Sequence, residues 1–247
     1  MVRIRERAVQ IGQKPLLECD RLLDRRGFVA ALLAGGSLLA AGRARAMGAE
    51  GPSVQRLAFD IRRDGASIGG HRVAFRRDGD RLEVDIEIDI AVNLAFIPLF
   101  AYSHRNHEVW QDGRLVALDS RTDDDGSHYA VSARASGGGL RVIGNAGDLL
   151  VPPETLPTSY WNVRTVEQTQ LLDTQQGGLL DVRPLLVGEE RLDGGVAARR
   201  YRLAGDLNLD LWYSDAGEWL KIAFQARGAD VSYDRRPPVA GGSGIAG

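Results

Sequence analysis

Leu82-Glu83-Val84-Asp85-Ile86-Glu87-Ile88-Asp89-Ile90-Ala91-Val92-Asn93-Leu94 is the stretch on which the fold turns. Every even position is apolar, while the odd positions carry four acids, an alanine and an asparagine. Alternation with period two over thirteen residues reads as a β-strand with one dry and one wet face. At about 3.3 Å per residue the strand would run roughly 40 Å, about twice the usual length. Its four acids read as a solvated face partly paired with arginines of a neighbouring strand, not as a catalytic or metal-binding cluster.

Working outward, Asp-Gly pairs punctuate the chain at Asp64-Gly65, Asp78-Gly79, Asp112-Gly113, Asp125-Gly126 and Asp193-Gly194. Asp-Gly between alternating apolar runs signals a hairpin, because a type I′ turn needs φ > 0 at both central residues. A two-residue turn at Asp78-Gly79 sets Phe75 opposite Leu82, Val73 opposite Val84, and Arg72 facing Asp85. Upstream, Leu57, Phe59 and Ile61 alternate inward, as do His71, Val73 and Phe75. Their parities agree only with one extra residue near Gly69-Gly70, which predicts a bulge there. Further strands read as 100–110, 115–123, 128–135, 140–144, 179–186, 198–203, 207–213, 219–226 and 229–233. Between the two halves, 152–162 holds three prolines and then Thr158-Ser159-Tyr160-Trp161-Asn162, followed by a polar stretch to Leu172 without period two. The expectation is an all-β domain: long antiparallel strands in sequential hairpins, forming a strongly curled sheet or incomplete barrel. A short helical or loop segment near 152–172 would cover its mouth.

Ahead of this domain stands a different composition. Residues 1–46 carry nine basic and four acidic side chains; removing them from the chain's 31 and 33 leaves 22 and 29, a net charge near −7. That sign lacks the footprint of a nucleic-acid binder and the polybasic surface that would hold it to anionic lipid. Arg25 and Arg26, a spacer and Phe28 resemble a twin-arginine export signature. The uncharged run 28–41 is too short to span a bilayer. Ala44-Arg45-Ala46 reads as a small-x-small cleavage site. The expected organisation is a signal peptide over 1–46, a linker over 47–53, one curled domain over 54–234 and a disordered tail over 235–247. The place of work would be the periplasm or beyond, with the twin-arginine translocase as export partner and no integral membrane segment. Cys19, the single cysteine, lies in the leader, so the domain has no disulfide and no thiol nucleophile.

No serine elbow, P-loop, dinucleotide-binding glycine motif or H-E-x-x-H is present beyond residue 46, and no cofactor is implied. Asp123-Asp124-Asp125-Gly126 reads as a hairpin tip and not a calcium loop. His104 and His107 are three apart on a strand, which sends them to opposite faces. The densest functional group is Thr158, Ser159, Tyr160, Trp161 and Asn162 beside backbone-fixing prolines. These five, with His104, are the candidate ligand-binding residues; no catalytic residue and no metal ligand is assigned. The segment reads either as a lid whose aromatics cover an apolar ligand or as an aromatic plug, with Asn162 capping the following turn.

The stretches Glu108–Gly126, Thr158–Asn162, Leu171–Gln175 and Tyr201–Asp206 with Leu211-Trp212-Tyr213 resemble a family of uncharacterised bacterial exported proteins. More distantly, the curled sheet is similar to periplasmic lipoprotein-carrier-like half-barrels, which hold acyl chains on an apolar concave face. The likeness implies a periplasmic protein that binds an apolar or amphipathic ligand, such as envelope lipid, inside the sheet. Two alternatives stand beside it: an envelope interaction module without a small ligand, and a hydrolase using Ser159 or Tyr160 with His104.

Overall fold

A computed structural model describes residues 53–94 and 97–237. The expected leader, including Arg25, Arg26, Ala44 and Ala46, most of the expected linker and the last ten residues lie outside the described part. Fifteen strands follow one another: β1 (Ser53–Arg63), β2 (Ala66–Asp78), β3 (Arg81–Leu94), β4 (Ile97–Gln111), β5 (Arg114–Asp124), β6 (Ser127–Ser136), β7 (Gly139–Gly144), β8 (Gly147–Val151), β9 (Leu156–Pro157), β10 (Gln170–Leu172), β11 (Leu179–Arg191), β12 (Ala197–Gly205), β13 (Leu209–Tyr213), β14 (Trp219–Ala226) and β15 (Ala229–Arg235). Among the described residues helical structure is confined to two 3₁₀ turns, Val163–Glu167 and Asp193–Gly195. None is long and apolar enough to cross a membrane.

All fifteen strands belong to one sheet in the order β8-β7-β6-β5-β4-β3-β2-β1-β15-β14-β13-β12-β11-β10-β9. Chain neighbours are almost always sheet neighbours. The exception is β8 and β9, which lie at opposite ends of the order, and it is β1 pairing with β15 that zips the two hairpin series together. Phe59 faces Arg235 and Ile61 faces Tyr233 across that seam. The sheet does not close into a barrel, so the expected curled, incomplete barrel is what forms. Its ends approach one another where the 173–178 loop meets β7: the amide of Ala146 donates to the carbonyl of Gln176 at 2.9 Å, and a side chain at Gly144 would strike that same carbonyl.

Local chemistry explains the hairpins. Asp64-Gly65, Asp112-Gly113 and Asp125-Gly126 all have positive φ at both residues, the backbone that joins two right-twisted strands. The β2–β3 turn differs from expectation: Asp78 still pairs with Arg81, so the turn residues are Gly79 and Asp80. The register therefore slides by two, placing Phe75 opposite Val84 and Val73 opposite Ile86. A slip of two preserves the faces, and Arg72 now bonds Glu87 at 2.9 Å and Asp89 at 3.2 Å on the wet side. The expected bulge is present: pairing passes from Ile61–Gly69 to Arg62–Ser67, leaving Ile68 extra beside the glycine pair. Strands β8, β9 and β10 were not expected, being short and without alternation. At the other end β15 runs on through Arg235, and Arg236 donates its amide to Ala58, so order extends past the expected start of the tail.

The apolar face of β3 lies inward as anticipated, with Leu82, Val84, Ile86 and Ile88 buried. These side chains join Phe59, Ile61, Leu118, Leu203, Leu211, Tyr213 and Trp219 in one core lining the concave side of the sheet.

Candidate functional site

The concave side is not uniformly apolar. Strand β4 sends Tyr102, His104, Asn106, Glu108 and Trp110 inward, all buried, and β5 adds Ser120, Thr122 and Asp124. The pairing lines them up in rows across the sheet. One row runs Phe59, His71, Ile88, His104, Thr122 from β1 to β5; the next runs Leu57, Val73, Ile86, Asn106, Ser120. Apolar side chains of β1 to β3 thus border a wall of hydroxyl, imidazole, amide and carboxyl groups on β4 and β5.

Facing this wall is the segment that leads from β8 to β11. The Thr158 and Thr174 hydroxyls lie 3.1 Å apart, and the Ser120 hydroxyl donates to the Thr174 carbonyl at 2.5 Å, fastening the segment to β5. Glu108, fully enclosed, accepts from Asn106 at 2.9 Å, the Trp110 indole at 2.9 Å and the Trp161 indole at 3.0 Å. Burial pushes its carboxyl above the usual range, and the bonds from Trp161, Trp110, Ser159 and Asn106 offset part of that rise. On the opposite side the Tyr213 hydroxyl donates to the Tyr160 carbonyl at 2.7 Å. Tyr160 holds φ = 61°, a left-handed backbone that a bulky residue adopts only when its surroundings impose it. The 158–162 segment is therefore bonded to both walls of the interior.

Between segment and sheet opens a cavity of about 1030 Å³, lined by His71, Tyr102, His104, Asn106, Thr158, Ser159, Tyr160 and Tyr233, and reaching Arg200, Arg202 and Lys221 on β12 and β14. A smaller apolar pocket of about 70 Å³ adjoins it, sharing Tyr102, Phe224 and Tyr233 and adding Ile68, Ile90, Val92 and Phe100. Four of the six expected site residues, His104, Thr158, Ser159 and Tyr160, line the large cavity together. The other two are turned elsewhere. Trp161 packs edge-on against Trp110 and Phe75 while holding Glu108. Asn162 caps the 3₁₀ turn, its side chain accepting from the Arg164 amide. His107 sits on the outer face, 2.7 Å from Asp85, so the two histidines do part as the strand parity requires.

Both interior histidines are neutral. Burial, helped by His104 and Arg72, lowers His71 to about 3; burial and Arg105 lower His104 to about 4. The Nδ1 of His104 is 2.8 Å from the Thr122 hydroxyl. His71 instead has aromatic neighbours, Phe59, Trp219 and Tyr233, and neither ring nitrogen meets a partner in the protein. The hydroxyls of Tyr160 and Tyr233 and the side-chain carbonyl of Asn106 are also buried without partners. The side-chain amide nitrogen of Gln175 is a fifth such group; each costs about 1–3 kcal/mol when left unpaired, so five of them around one cavity is a feature in need of a cause. His71, Tyr233 and Asn106 were missed from the sequence because each occupies a position where an ordinary core residue would fit the alternation equally well.

Comparison with known proteins places this geometry. A family model described as a domain of unknown function, DUF6134, matches residues 59–236. Among solved structures the chain is similar to a beta-barrel-like protein of the domain of unknown function DUF1849 from Brucella abortus, with a TM-score of 0.55 at 10% identity over 73% of this chain and 95% of that one. At that identity the likeness is one of fold. The search of curated proteins finds no match.

Proposed function

The chain belongs to the DUF6134 family, and from that premise we propose that it is an exported periplasmic protein that binds an amphipathic small molecule, such as an envelope lipid, inside its curled sheet. The observation that carries this reading is the large cavity between the β4–β5 wall and the 158–162 segment, joined to an apolar pocket at the rim. A concave, partly apolar cavity with a few convergent polar groups is the ordinary form of a small-molecule site. Ile86, Ile88 and Phe224 supply apolar area, and Ser159, Tyr160 and His104 supply orientation. Export by the twin-arginine translocase accords with the leader sequence, and with a domain that folds without disulfides.

Native mass spectrometry of the purified protein, together with displacement of a fluorescent fatty-acid probe, tests the reading. A bound lipid-sized mass, or saturable probe binding, is expected. Protein that carries nothing and leaves the probe unbound would reject it.

One observation favours an interaction role as a second reading. Strand β10 pairs with only Leu179–Asp181 of β11, and beyond it Leu185, Leu186 and Val187 are exposed. An edge of this kind accepts an added strand from another chain. The hydrolase reading draws less support: Ser159 bonds Glu108 and His104 bonds Thr122, so the hydroxyl and the imidazole are each engaged elsewhere.

A further inference from the structure

The polar groups inside the cavity are specific about what they could receive. His71, Asn106, Tyr160, Gln175 and Tyr233 are each at least nine-tenths buried, line the same cavity, and carry polar atoms that meet no partner in the protein, the Gln175 amide nitrogen being a further donor. Two phenol hydroxyls can donate, and the Asn106 carbonyl can only accept. Neutral His71 must do one of each through its two ring nitrogens. A hydroxyl group answers all of these demands, since it donates and accepts at once.

Charge narrows the class further. An anionic head would need a free cation among these groups, yet the interior histidines are neutral. Arg227, which carries no ion pair among the described residues, is exposed on the β14–β15 turn beside the apolar pocket, on the side that the ligand's chain would take. Arg200 and Arg202 both bond Asp210, and Lys221 sits 2.9 Å from Asp234. The buried carboxyl of Asp173 also lines the cavity and, when ionised, would repel an anion. An ammonium head fits no better, because it cannot accept from the tyrosines. A pocket without charged groups at its centre, formed by Ile68, Ile90, Val92, Phe100 and Phe224, adjoins the cavity and offers an apolar way out.

We propose that the cavity takes an uncharged, hydroxyl-bearing head group, of the polyol or glycosyl kind, held among His71, Asn106, Tyr160 and Tyr233, while the ligand's apolar chain leaves past Ile90, Val92 and Phe100. The proposal rests on the amphipathic-ligand reading and reverses the orientation of a simple greasy container, in which the chain would go in first.

The test uses calorimetric titration of the purified protein with three amphiphiles of one tail: octyl glucoside, octyl sulfate and octyltrimethylammonium, each below its micellar concentration. Octyl glucoside is expected to bind about tenfold or more tightly than the other two. Tyr160→Phe and Tyr233→Phe should each weaken it about three- to tenfold, the worth of one neutral hydrogen bond, with octyl sulfate unaffected. Both variants remove a hydroxyl that the protein itself does not use, so the fold is expected to persist, as circular dichroism would verify. Equal binding of all three heads, a preference for a charged head, or indifference to both tyrosine variants overturns the head-group assignment while leaving an amphipathic ligand in place. No binding of any of the three instead rejects the amphipathic-ligand reading itself.

Discussion

The indole N–H of Trp161 donates to the same Glu108 oxygen that accepts from Trp110, at 3.0 and 2.9 Å. One loop residue is thereby fastened to the interior face of β4 through a carboxylate that water does not reach. Trp161→Phe keeps the ring packing against Trp110 and Phe75 but removes a donor from a buried acid, a change worth about 1–3 kcal/mol. Glu108→Leu should cost more, because two indoles and the Asn106 amide lose their acceptor together. Urea unfolding followed by tryptophan fluorescence measures both, and a Glu108→Leu protein as stable as the original would contradict the role given to this carboxylate.

The bulge at Ile68 makes a second, sharper prediction. A β-carbon on Gly69 would run into the carbonyl of Asp89 and the Cα of Ile90, both backbone atoms of the paired strand, whereas one on Gly70 would meet only the Phe59 carbonyl at 3.5 Å. Gly69→Ala is expected to destabilise by about 1–3 kcal/mol or more through forced separation of β2 and β3, and Gly70→Ala by less than about 1 kcal/mol. Thermal unfolding of the two variants side by side decides it. Equal effects would mean that the strands separate freely at this point.

Stability should fall on acidification, with a slope that the histidines set. An unfolded histidine takes up its proton near pH 6.5, while His71 and His104 in the fold resist until about 3 and about 4. Their contribution is therefore complete above pH 6.5 and is lost progressively below it, at about 1.4 kcal/mol per pH unit for each group. Glu108 and Asp173, raised by burial, act with the opposite sign and flatten the curve toward the acid end. His71→Phe removes one of the two proton differences. Between pH 6 and 4 its stability should depend on pH less steeply than that of the parent by about 1.4 kcal/mol per unit. Parallel curves from urea titrations at several pH values would show that His71 titrates normally.

The all-β curl was legible in the sequence because β3 states its two faces residue by residue, and because Asp-Gly turns announce hairpins in backbone terms. The β2–β3 register was not legible to the residue: Gly79-Asp80 serves the turn as well as Asp78-Gly79, and a shift of two leaves every face unchanged. The site was half legible. Thr158, Ser159 and Tyr160 stand out by composition, and His104 by rarity. The β4 wall did not, because that strand is polar on both faces, Arg105 and His107 outward against His104 and Asn106 inward, so no alternation marks which side is enclosed. His71 sits among the otherwise apolar inward residues of β2, with Val73 and Phe75, where only its contacts across β1, β14 and β15 give it meaning.

Val92 and Phe100 face each other across β3 and β4 at the rim, next to the pair Ile90 and Tyr102, and both line the small apolar pocket that adjoins the cavity. Val92 is only partly covered, so a larger side chain there can lie over the small pocket without displacing the core beneath. If ligand chains leave past this pair, Val92→Trp fills the small pocket and obstructs the path without touching His71, Asn106, Tyr160 or Tyr233. Binding of a long-chain fluorescent probe should fall about tenfold or more, roughly the cost of expelling two methylene groups from an apolar site. A short-chain polar ligand should be affected far less. A variant that binds long and short chains as well as the parent would place the route elsewhere, toward the Arg202 and Lys221 end of the cavity.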